Sequence, residues 1–178
     1  MEKEVVIPDG VNVDVKNRTV TVKGPKGSLS RTFSDPMFDW RTTIEKTDGK
    51  VVVKGTEERK IKSFTGAIAG HVRNMFDGVM HGYKYKLKIF HTHFPITVEA
   101  KGKQVIVKNF LGERSVRSGE IIGNTKVEIK KDDITVTGIN KDEVSQTAAN
   151  IEHACRLSGK DRRVFLDGVY ITGWEKND

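Results

Sequence analysis

The chain has 178 residues, with 31 Lys and Arg against 24 Asp and Glu, a formal charge of +7 and a pI near 9.4. Hydrophobic residues make up 36% and charged residues 31%, which suits two thin cores better than one thick one, and the basic excess points either to a polyanionic partner, nucleic acid or an anionic membrane surface, or to a basic enzyme with an acidic substrate. Cys155 is the only cysteine, which excludes an intrachain disulfide, and no apolar run nears the roughly 18 residues that a membrane helix needs.

The opening M-E-K-E carries no apolar signal segment and, with the lone cysteine, fits a reducing cytoplasmic setting. No long basic amphipathic helix is present to lie on a membrane, so nucleic acid is the expected polyanion. Val11, Val13 and Val15 alternate with polar residues, Asn17-Arg18 turns the chain, and Val20 and Val22 alternate again: a hairpin with one buried face. Lys23-Gly24-Pro25-Lys26-Gly27 closes it as a basic turn before Leu29 to Phe33. After a loop at 34–40 that matches no pattern, Ile44 and Val51 to Val53 flank Asp48-Gly49, which supplies the positive φ angles of a two-residue turn. Gly55 ends the return strand.

From Glu57 the period changes to 3.6. Ile61, Thr65, Ile68, Val72 and Met75 fall on one helix face, with the helix expected to end near Asp77-Gly78. Gly66 and Gly70 inside it cost roughly 1 kcal/mol each relative to Ala, so close packing on a sheet is expected to compensate. Tyr83 to Phe90 then alternates as an extended stretch opening a second domain.

The pattern repeats. Ile96, Val98, Ala100, Val105 and Val107 follow Val11, Val13, Val15, Val20 and Val22 by 85 residues, as Lys108 follows Lys23, Gly112 follows Gly27 and Ile129 follows Ile44. At an offset of 83, Ile134, Val136 and Gly138 match Val51, Val53 and Gly55, and Val144, Ala148, Ile151 and Cys155 match the helix stripe. Asp167-Gly168-Val169 follows Asp77-Gly78-Val79 by 90, which implies an insertion of about seven residues at 157–163, the basic L-S-G-K-D-R-R. The fold expected is α+β: two tandem domains from an internal duplication, residues 1–82 and 83–178, each an antiparallel or mixed β-sheet packed with one main helix. The enlarged cationic loop marks the second copy as the one that contacts the partner.

No phosphate-loop, dinucleotide, zinc-protease or nucleophile-elbow motif occurs, so no catalytic residue, metal or cofactor is expected. Gly24-Pro25-Lys26-Gly27 has the G-x-x-G of KH domains, but that loop joins helices and this one joins strands. His91 and His93 lack acidic or cysteine partners at ligand spacing and read as loop-end residues that cap or meet a polyanion. His153 and Cys155 read as packing residues. Lys84, Lys86 and Lys88 alternate along one strand face, either tracking phosphates or lying on a solvated edge strand. Lys108, Asn109, Arg114 and Arg117 surround the second hairpin's turn. Arg156, Lys160, Arg162 and Arg163 form the densest cluster, and Arg offers phosphate a planar fork.

The segments S-F-T-G-A-I-A-G-H-V-R-N-M-F-D-G-V (63–79), Y-K-Y-K-L-K-I-F-H-T-H-F-P-I (83–96), N-F-L-G-E-R (109–114) and Q-T-A-A-N-I-E-H-A-C-R-L-S-G-K-D-R-R-V-F-L-D-G-V-Y-I (146–171) carry a resemblance. Together they resemble the universal large-subunit ribosomal protein six family across essentially the whole chain. Bacterial members have a Pro-, Tyr- and Lys-rich segment where this chain has 160–163, so the resemblance is to the archaeal and eukaryotic form, and the compact length favours archaeal. The resemblance implies a non-enzymatic constituent of the large ribosomal subunit in the cytoplasm. It would bind 23S-type rRNA near the stalk base and sarcin–ricin loop, beside neighbouring ribosomal proteins and docking translation factors, and support translation. By position the contacts fall at 91–95, 109–114 and 156–163, with the C-terminal domain as the main rRNA-binding domain. Other readings are another RNA-binding protein, an RNA-modifying enzyme acting on structured RNA, or an adaptor using an exposed sheet face.

Overall fold

The computed structural model describes residues 2–36, 38–161 and 163–177. The chain divides into two compact units, Met1–Gly82 and Tyr83–Asp178. In the first, β1 (Glu2–Val6), β2 (Asn12–Lys16), β3 (Thr19–Gly24), β4 (Gly27–Thr32), β5 (Thr42–Thr47) and β6 (Lys50–Gly55) precede α1 (Arg59–Met80). They form two antiparallel sheets, ordered β1-β6-β5 and β2-β3-β4, with α1 packed on both. In the second, β7 (Tyr83–Phe90), β8 (Thr97–Lys101), β9 (Gln104–Lys108), β10 (Arg117–Glu120), β11 (Lys126–Lys130) and β12 (Asp133–Gly138) precede α2 (Lys141–Ala154) and β13 (Gly168–Lys176). These strands again make two antiparallel sheets, β10-β9-β8 and β11-β12-β7-β13, with α2 packed against both. The α+β class and its duplication therefore hold, with two sheets per unit where the sequence suggests one.

Alternation explains the strands. Val13, Val20, Val22, Val51 and Val53 are buried with polar residues between or beside them, and the turns have positive φ where expected, at Asn17, Arg18, Asp48 and Gly49. The helix stripe Ile61, Thr65, Ile68, Val72 and Met75 is buried as expected, and Ala69, Phe76 and Val79 join it. The helix does not stop at Asp77-Gly78. Val79 is fully buried against Gly24, where an added Cβ would lie 2.8 Å from its methyl, and this contact holds the last turn in place. Gly82, at φ +77, then closes the helix by donating its N–H to Gly78.

The expected sheet contact of Gly66 and Gly70 is absent. Both face open space instead, with no atom of the described residues within 4 Å of an added Cβ, so no close packing among those residues offsets their cost to the helix. Arg18 ties down the stretch that matches no sequence pattern. Its guanidinium donates to Phe33 O (2.9 Å), Thr42 O (2.7 Å) and Thr42 Oγ1 (2.6 Å), and pairs with Asp39 at 3.1 Å.

The second unit departs from the first in four ways that the repeat conceals. The register sets Ile44 opposite Val53 and Val127 opposite Val136, so Ile44 corresponds to Val127 and not Ile129; the offset has already fallen to 83 before β11. α2 has 14 residues against the 22 of α1, ending at Ala154. Asp77-Gly78-Val79 is helical, whereas Asp167 precedes β13 and Gly168-Val169 begin it, so the matched tripeptides are not structural equivalents. The seven-residue insertion is accordingly a helix ended early, a long connection, and an added strand. Finally, β7 lies between β12 and β13, which rules out the edge-strand reading of Lys84, Lys86 and Lys88. Glu175 on β13 pairs with Lys84 at 3.2 Å and Lys86 at 2.8 Å.

The second core gathers Leu87, Ile134, Val136, Val105, Val107 and Phe110 around Val144, Ala148 and Ile151 of α2. Asn140 caps that helix by accepting from Asp142 N at 3.1 Å. Gly119 on β10 lets the helix approach; an added Cβ would sit 2.9 Å from Asn150 O. Cys155 is a buried core residue as expected, and burial pushes its thiol up to about 11. His153, expected in the packing, is exposed on the last turn of α2.

Candidate nucleic-acid interface

Three connections of the second unit meet: residues 91–96 after β7, 109–116 after β9, and 155–167 between α2 and β13. Asn109 stands at φ +57 and donates Nδ2–H to Pro95 O at 2.9 Å, binding the second connection to the first. Phe94 lies over Gly112, its ring 3.3 Å from an added Cβ. Arg117 binds the second to the third. Its Nε and Nη2 donate to the two Glu113 oxygens at 2.9 and 2.7 Å, and Nη1 donates to Ala154 O at 3.2 Å and Arg156 O at 3.1 Å. The guanidinium also lies 4.3 Å from the centroid of the buried Phe110 ring. This fork holds the Glu113 carboxyl below its ordinary range.

Asp167 joins the third connection to the first. It is fully buried, and its Oδ1 accepts the backbone N–H groups of Thr92 (2.7 Å) and His93 (3.0 Å). Its Oδ2 accepts from His93 Nδ1 at 2.7 Å. Burial alone would raise this carboxyl; the His93 and Thr92 donors outweigh it and hold the carboxyl at about 2. The His93 ring meets Phe165 at a centroid distance of 5.1 Å, and Lys160 Nζ lies 4.6 Å over that same ring.

The ten residues singled out from sequence thus separate. His93, Asn109, Arg117, Arg156 and Lys160 belong to the joined connections, with Arg117 spent on internal contacts. Arg114 and Arg156 are exposed, and their side chains have no hydrogen-bond or ion-pair partner among the described residues. Arg163 is folded onto Asp161, Nη2 to Oδ2 at 2.8 Å, which lowers that carboxyl and offsets one positive charge of the cluster. Lys108 is held at 3.0 Å by both oxygens of Glu99. His91 turns to Asp132 at 3.7 Å, away from the Asp167 that holds His93, so the two imidazoles do not converge. Arg162 lies outside the described residues. A cleft of about 300 Å³ beside this region is lined by Glu152, His153, Arg156 and Tyr170, among others.

Sequence reasoning misses Asp167 and Phe165, and it includes Phe94 and Glu113 only within the expected contact ranges 91–95 and 109–114, without the framing roles they take here. The Asp167 signal is visible in the sequence, but its match to Asp77 assigns it to the scaffold.

Fold and site together define a tandem-repeat α+β protein whose second copy carries the cationic connections. The family described as Ribosomal protein L6 matches residues 7–82 and 94–168, one match on each repeat. A protein named Large ribosomal subunit protein uL6 from Methanocella arvoryzae is 47% identical over 172 residues, covering 96% of this chain and 95% of the relative. Proteins of that name from Desulfurococcus amylolyticus and Methanobrevibacter smithii are 46% and 43% identical, covering 99% and 98% of this chain and 95% and 97% of their own. The chain belongs to the ribosomal protein L6 family, whose members are structural proteins and not enzymes. No helix among the described residues is long and apolar enough to cross a membrane.

Proposed function

We propose that this chain is a cytoplasmic constituent of the large ribosomal subunit that binds 23S-type rRNA near the stalk base and sarcin–ricin loop, with residues 83–178 as its main rRNA-binding domain. The observation that carries the reading is the meeting of three cation-bearing connections, held by Arg117, Asn109 and Asp167, with Arg114 and Arg156 left unpaired among the described residues. Arg114, Arg156 and Lys160 neutralise phosphates, joined by Arg162 and by Arg163 when it leaves Asp161. His91, His93, Lys108 and Asn109 border them. Arg117 acts through the frame. A rigid frame carrying free cations on irregular loops suits RNA, whose backbone and splayed loops are recognised by shape. Neighbouring ribosomal proteins surround the chain there, near docking translation factors, and its part in translation is to stabilise that rRNA.

Salt dependence tests this. Binding to a stalk-base rRNA fragment should weaken log-linearly with salt, at a slope of about −0.7 to −0.9 per phosphate neutralised. Replacing Arg114, Arg156 and Lys160 together by Ala should flatten the slope by about two to three units. The control removes Lys50 and Lys54, which the first unit already pairs with Glu4 at 2.7 Å and Glu45 at 3.3 Å. Equal losses in both variants would contradict the assignment to the second unit.

A further inference from the structure

We propose that Asp167 is the positioning residue of the RNA-binding surface, acting through His93, and that His93 Nε2 is the ring atom that meets RNA. The inference rests on the rRNA-binding reading above and deepens it.

Three observations carry it. The first is geometric. An ionised carboxylate only accepts, so His93 Nδ1 bears the proton in the 2.7 Å contact with Oδ2. Nε2 is therefore the nitrogen left for a ligand, on a side chain that is 40% exposed, and it has no hydrogen-bond partner among the described residues. The same carboxylate holds the two successive backbone N–H groups that flank Thr92, so it sets the loop and the ring together.

The second observation is that the fold does not need the latch. In the first unit, the connection between β1 and β2 stands in the same place as 91–96. It is closed without a buried carboxylate among the described residues: Val11 N donates to Pro8 O at 3.3 Å, and Ile7 N donates to Gly49 O at 2.9 Å, a contact that the second unit repeats as Ile89 N to Asp132 O at 2.7 Å in addition to the Asp167 latch. A buried carboxylate is costly to desolvate, and apolar packing commonly serves a fold as well or better. Among the described residues Asp167 is the one buried carboxylate of either unit, which marks a role that the second unit performs.

The third is connectivity. His93 packs on Phe165, and Phe165 carries Lys160. One carboxylate thereby orients an imidazole, an aromatic ring and a cation from two connections of the unit.

The test uses the full chain and three substitutions. His93→Asn keeps an N–H near the Nδ1 position and lacks Nε2; His93→Gln offers an N–H near Nε2 and abandons Asp167; Asp167→Asn removes the charge that holds both N–H groups. In the free protein, amide exchange at 92 and 93 should accelerate about tenfold in Asp167→Asn, with α2 and β9 unchanged, and should stay slow in His93→Asn and His93→Gln, which keep the Oδ1 acceptor. Affinity for the stalk-base fragment should drop about tenfold in Asp167→Asn and in His93→Asn. Unchanged exchange in Asp167→Asn would overturn the latch. Wild-type affinity in His93→Asn would overturn the Nε2 contact while leaving the rRNA reading intact. Failure of the wild-type chain to bind the fragment would overturn both.

Discussion

Arg117 reads from sequence as a phosphate contact, but its surroundings make it a clasp between two connections of the second unit. Arg117→Ala removes a forked pair with Glu113, two donations to the carbonyls of Ala154 and Arg156, and a cation–π contact with Phe110. The side chain is 28% exposed, so water screens the ion pair, which contributes about 0.5–1 kcal/mol. The two carbonyl contacts, at 3.1–3.2 Å, add about 1 kcal/mol together, and the ring contact adds about 0.5 kcal/mol. The loss is about 2–2.5 kcal/mol. For a unit of this size that lowers the melting temperature of the second unit by about 10–20 °C, read by calorimetry of the full chain. Arg117→Lys should recover less than half, because an ammonium cannot reproduce the fork. At a temperature where the variant is folded, its salt slope for RNA should match wild type. A melting shift of less than about 2 °C, together with a slope lower by about one, would refute the clasp and make Arg117 a phosphate contact.

Gly119→Ala should destabilise the second unit by about 1–3 kcal/mol, since its Cβ would lie 2.9 Å from Asn150 O and α2 would have to shift; denaturant unfolding measures it. Gly66→Ala and Gly70→Ala should each stabilise the first unit by about 0.5–1 kcal/mol, because both face open space within a helix. A loss in the isolated protein would show that something covers that face. Acid should weaken the second unit through Asp167. Its folded carboxyl is depressed to about 2 from 3.8, so its stabilisation is present above pH about 4 and disappears as pH falls from 4 towards 2. Asp167→Asn should flatten that part of the stability–pH curve.

Local periodicity makes much of the fold legible. The valine alternation places β2, β3, β8 and β9, Asp48-Gly49 places a hairpin, and the 3.6 spacing places both helices. It fails where tertiary contact decides. Val79 against Gly24 carries α1 past a glycine, and the early end of α2 followed by β13 has no signature in residue spacing. β1 escapes notice because Glu2–Val6 carries little alternation; only Val5 of the strand is buried, and pairing with β6 holds it. At the site, charge density identifies Arg156 and Lys160, but composition does not reveal which cations are already spent. Glu99, Glu113 and Asp161 claim Lys108, Arg117 and Arg163, two of them from four to nine residues away and one from two. Asp167 is hidden because its three donors lie 74 and 75 residues earlier.

The most direct test of the account is a crosslinking map of the chain assembled into archaeal large ribosomal subunits, read by mass spectrometry. Crosslinks to rRNA should concentrate at 91–95, 109–114 and 156–163 and join the stalk base and sarcin–ricin region. Crosslinks concentrated within residues 1–82, or joined to rRNA elsewhere in the subunit, would contradict it.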